Sequence, residues 1–102
     1  MQIISKLSDM IEDELQDAEK YITCAMNYKT ENPTLAQTFA KISGEEMVHM
    51  SLLHEQVEAI IAAYRKEHGD PPEKMMGIYE YLHKKYMEKA REIKVMQAMF
   101  KA

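Results

Sequence analysis

Three residues offer chemistry where a helical chain usually places hydrocarbon. Phe39, Ile42, Glu46, His49, Leu53, Val57, Ile60 and Tyr64 recur at steps of three and four, the spacing of one helical face. The centre of that apolar row is a carboxylate and an imidazole one turn apart. A second carboxylate, Glu14, stands in the row Leu7, Ile11, Glu14, Ala18, Tyr21, Ala25. Buried charge is costly unless it is paired or coordinates a metal. A Glu/His set with no thiolate suits iron, manganese or zinc, because hard carboxylates can bridge two ions while an imidazole caps each. The competing chemistry is a hydrogen-bonded polar layer that fixes helix register.

The pattern Glu-x-x-His is weak by itself. Four histidines and thirteen glutamates in this length supply about half an occurrence by chance, and there are two. Register separates them. Glu46 and His49 lie on the centre line of an apolar face, whereas Glu80 and His83 lie beside one and read as a partly solvated surface pair. Glu19 flanks the first helix's apolar row and is the runner-up carboxylate there, and Glu92 is a further candidate on the last helix. Both, with Glu88, otherwise read as solvated charges. His54 reads as a rim histidine and His68 as a helix-end cation suited to the dipole. Ten methionines read as adaptable core filler or as a soft surface for a partner helix.

The elements that must position these groups follow from pattern and punctuation. At 102 residues there is room for one domain and one core. Hydrophobic residues at 46% and charged ones at 29% make an ordinary globular balance. Net charge is −4, with basic residues interleaved among acidic ones, which argues against a nucleic-acid or anionic-membrane footprint. No apolar run approaches a membrane span. The N-terminus lacks the pattern of a signal peptide. Cys24 is the only cysteine, so a cysteine-based zinc site is excluded and a cytoplasmic setting is expected.

Three helices are predicted. The first spans about 5–30, with Asp9 and Glu12 in capping-box relation and an apolar row through Ile4, Leu7, Ile11, Leu15, Ala18, Ile22 and Ala25. Asn32 and Pro33 make a natural N-cap and first helical position for the second, about 33–68. Gly44, inside it, predicts a close helix crossing or a tolerated defect. Gly69 suits the position after a helix and Asp70 the cap of the third, about 72–100. Its row is Met75, Ile78 or Tyr79, Leu82, Tyr86, Ala90, Ile93, Met96 and Phe100. No run alternates with period two, so the fold is all-α: three long antiparallel helices joined by short loops.

Glu14-x6-Tyr21, a break, and then Leu35-x3-Phe39-x2-Ile42-x2-Glu45-Glu46-x2-His49-x3-Leu53 resembles the first half of the ferritin-like superfamily, its rubrerythrin-like and encapsulated-ferritin branches most. The resemblance covers roughly residues 7 to 60. It implies Glu14, Glu46 and His49 as metal ligands, Glu46 bridging, with Tyr21 as a hydrogen-bonding support. It also implies a helical hairpin that becomes a four-helix bundle when two copies pair, as half-sized ferritins do. The chain departs from a full ferritin in having three helices and no long crossover. Projected antiparallel to the second helix, the third brings Glu92 near the level of His49 and leaves Glu80 and His83 about 15 Å further along. One chain therefore offers three ligands, half a dinuclear centre, and a symmetric homodimer would offer six. The C-terminal Val95–Ala102 does not resemble an encapsulin-targeting tail.

The expectation is a small ferritin-like protein binding iron, or manganese or zinc, at a site shared between chains. Oxidation of ferrous iron or reaction with peroxide is its conceivable turnover, and no nucleic-acid or membrane partner is expected. The alternative is a non-enzymatic helical interaction module in which Glu14, Glu46 and His49 form a polar layer without metal.

Overall fold

A computed structural model describes residues 2–102. It comprises α1 (Gln2–Tyr28), α2 (Pro33–His68) and α3 (Glu73–Lys101), an all-helical rod measuring 56 × 20 × 18 Å. No described helix is long and apolar enough to cross a membrane. α1 and α2 form an antiparallel hairpin with the most extensive interface, and α3 returns parallel to α1, resting on α1 more than on α2.

Local chemistry sets most of the boundaries. The Asn32 side chain accepts a hydrogen bond from the Leu35 N–H at 3.2 Å, and Pro33 occupies the first turn, where a missing N–H costs nothing. Gly69, at φ 80°, ends α2 in a backbone region costly for other residues. Two expected starts are corrected. α1 runs from Gln2, upstream of the expected start near residue 5, and Ile4 and Leu7 already pack on the main core. Asp9 is therefore inside the helix and caps nothing. Asp70 does not cap α3 either. It faces back to Arg65, with Oδ1 3.5 Å from Nε. Pro71 and Pro72 keep the chain extended, so α3 starts only at Glu73.

The core has two parts. Ile11, Leu15, Ala18, Met47, Met50, Val57, Ile61, Tyr86, Ala90 and Ile93 make the larger, and Ile22, Ala25, Ala36 and Phe100 close the loop end. Near their junction Ser43, with no exposure, donates its hydroxyl to the Ala18 carbonyl at 2.7 Å. It also accepts from the Gln97 amide at 2.9 Å. All three helices meet at that hydroxyl. Lys29 donates to the Phe100 carbonyl at 2.6 Å and lies over the Phe100 ring, so a cation terminates α3 where the helix dipole favours one.

The apolar rows expected on α1 and α3 are buried as expected, with Tyr79 rather than Ile78 turned inward. The row expected on α2 is corrected. Its buried stripe is Ala36, Ser43, Met47, Met50, Val57 and Ile61, turned toward the groove between α1 and α3. The row through Ile42, Glu46 and His49 is the flank of that stripe, because one helix touching two neighbours buries the sector between them. Gly44 marks no close crossing, since a methyl group there would meet nothing within 4 Å. Ser43 is the small residue at the close approach.

Candidate metal centre

The hairpin brings Glu14 of α1 to Glu46 and His49 of α2. His49 Nδ1 lies 3.3 Å from Glu14 Oε2 and 3.9 Å from Glu46 Oε2. One ligand atom from each of the three residues falls within 4.8 Å of the others. The Ser43–Ala18 hydrogen bond marks the register that does this. Glu14 stands four residues before Ala18, and Glu46 three after Ser43, so the antiparallel pairing puts both on one level.

The cluster is not core. Side-chain exposure is 18% for Glu46, 25% for Glu14 and 53% for His49. It opens on the side of the hairpin away from α3, which approaches α1 along Leu15, Gln16 and Glu19. The two carboxyl groups dominate its electrostatics. Glu46 is pushed up to about 7, first by the hydrogen bond it donates to Glu14 as a neutral acid, then by burial and by the Glu14 charge. His49 opposes the rise and Asp17 adds to it. Two carboxylates with oxygens within 4.8 Å of each other repel. The pair therefore holds one proton near neutrality or needs a cation. Two hard oxygen donors and one imidazole facing a common point fit iron, manganese or zinc, and solvent or a neighbour has access to the remaining positions.

The other candidates lie elsewhere. Tyr21 turns its ring onto Phe39, centroids 6.1 Å apart, under Lys20, so its contact is an aromatic one toward the loop end. Glu19 pairs with Lys89 across the α1–α3 groove, which removes it from the cluster. Glu92 is exposed on α3, on an element that does not border the cluster.

His54 is half-buried at the edge of the core, as a rim histidine would be, yet its Nε2 is sealed from solvent and makes no hydrogen bond among the described residues. The reading of a second histidine is corrected. His83 does not form a surface pair with Glu80 but stacks on His54, with centroids 4.9 Å apart and planes at 23°. With Glu58 they form a second group of possible ligands. The signal available in the sequence was the His54–Glu58 spacing of four, one turn of the same helix. The α3 partner had none.

Comparison with family models, with curated proteins and with solved structures returned no match.

Proposed function

We propose that the protein is a small ferritin-like metal binder in which Glu14, Glu46 and His49 hold an iron-type ion. Two copies pair through the open side of the hairpin, so that six such residues surround a dinuclear centre. The observation that carries this is the forced approach of two carboxyl groups from different helices beside an imidazole, on a face that α3 leaves open. A cation between them would replace the proton that Glu46 otherwise retains.

The same face supports pairing. Leu7, Ile42, Leu53 and Ile60 are half-buried along it. Met10, seven residues from Ile3 in the next row of α1, and Leu52, three from His49, are large apolar side chains about half exposed. An isologous contact would cover them and bring the two clusters together. When bound, iron at this site would supply one-electron redox chemistry toward an oxidant of the peroxide class. The carboxylates would hold the ion, and Glu46 would release its proton as the metal enters and take one up as it leaves.

The test is metal content per chain together with oligomer mass, after anaerobic Fe(II) loading and desalting, for the wild type and His49→Ala. About one iron per chain on a dimer, lost in His49→Ala, is expected. A folded wild type that retains no iron overturns the proposal.

A further inference from the structure

We infer that His54, Glu58 and His83 form a second metal site, for a zinc-type divalent cation, that clamps the distal half of α2 to α3. The inference stands apart from the function proposed above, because the two clusters share no residue and face different directions. His49 and His54 are five residues apart on one helix, a rotation of about 140°.

Two imidazoles on different helices and one carboxylate are the donor set of a three-ligand zinc site with an open fourth position. The geometry is near that state. Their ligand atoms lie within 4.8 Å of one another, and a tetrahedral ion at ordinary ligand distances holds such atoms about 3.3 Å apart. The remaining difference is of the size that side-chain rotation spans. His54 Nε2 supplies the independent signal. It is buried and makes no hydrogen bond, although Glu58 Oε1 lies 3.4 Å away, within ion-pair reach. A sealed ring nitrogen without a hydrogen bond is costly, and a cation between it and the Glu58 carboxylate at 3.4 Å would engage both.

The surroundings suit a bound ion. Tyr79 stands 5.8 Å from the His83 ring and limits where it can turn. A cavity of about 330 Å³, lined by Glu58, Ile61, Tyr79 and His83 among others, gives entry and room for a water as fourth ligand. The α2–α3 interface is the slightest of the three, so a cross-link here acts where the fold is least tied.

Co(II) and Zn(II) titrations test this on the wild type, His83→Gln, Glu58→Gln and His49→Ala. Co(II) in a tetrahedral site gives an intense visible band, and native mass spectrometry counts equivalents. One equivalent giving that band is expected in the wild type and in His49→Ala, beyond any ion held by Glu14, Glu46 and His49. The band should be absent in His83→Gln, and the ion bound at least ten-fold more weakly in Glu58→Gln. In the His49→Ala background Zn(II) should raise the thermal midpoint, and adding His83→Gln should remove that rise. Glu58 is mostly exposed, so Glu58→Gln reports on binding even where a histidine replacement disturbs folding. A band and equivalent that survive in both His83→Gln and Glu58→Gln, or vanish in His49→Ala, overturn the inference, as does a wild type with no tetrahedral Co(II) signal.

Discussion

Glu46 is the residue at which charge, packing and function meet. Its folded-state pKa of about 7 lies above the ordinary 4.5, so the folded chain holds a proton that the unfolded chain has already released. The stability this provides is complete below about pH 4.5 and is lost as pH rises through about 7. Glu46→Gln mimics the protonated acid and still offers a donor to Glu14. Without metal it should therefore be more stable than the wild type at pH 8, by about 1 to 3 kcal/mol, and nearly equal to it at pH 4. Urea unfolding at the two pH values measures the difference. Ser43 is the second residue of consequence. Ser43→Ala leaves a buried carbonyl and the Gln97 amide each short of a partner, an expected loss of about 1 to 2 kcal/mol at neutral pH.

At the scale of elements, the helices divide into parts set locally and parts set by their neighbours. The α2 start is local, because Asn32 and Pro33 complete it alone. Gly44 is a local weakness with open space around it. Gly44→Ala should therefore stabilise the chain by about 0.5 to 1 kcal/mol, read from the denaturant midpoint. The end of α3 is set from outside. Lys29, on the loop after α1, binds the Phe100 and Ala102 carbonyls. Lys29→Ala should speed amide hydrogen exchange in the last turn of α3 and leave the middle of α1 protected. The expected Asp70 cap failed for a local reason that two prolines make legible afterwards: the chain between Asp70 and Glu73 cannot turn early enough.

For the whole molecule, the rod has one side closed by α3 and one side left to the hairpin alone. The proposed pairing uses the open side, so a charge placed there tests it directly. Met10→Lys should convert the expected dimer to a monomer in sedimentation and weaken Fe(II) retention at least ten-fold, while helicity stays unchanged because Met10 is about half exposed in the single chain and lies outside the buried core. A dimer that persists in Met10→Lys would place the contact elsewhere. The closed side holds the His54–His83 stack, and its metal chemistry should be indifferent to this variant.

Taken alone, the sequence determined three helices, their loops, the buried rows of α1 and α3, and the level at which Glu14 meets Glu46 and His49. Those features depend on period, caps and chain length, which are local or nearly so. Only the tertiary structure decided which sector of α2 is buried. A helix with a broad apolar surface, with Met47 and Met50 on one side and Ile42 and Leu53 on the other, has no internal reason to prefer either until α3 takes its place. That choice turned Glu46 and His49 from centre to flank. It also carried His54 inward, and it set His83 against a histidine 29 positions away in the chain, a contact that no spacing within one helix encodes.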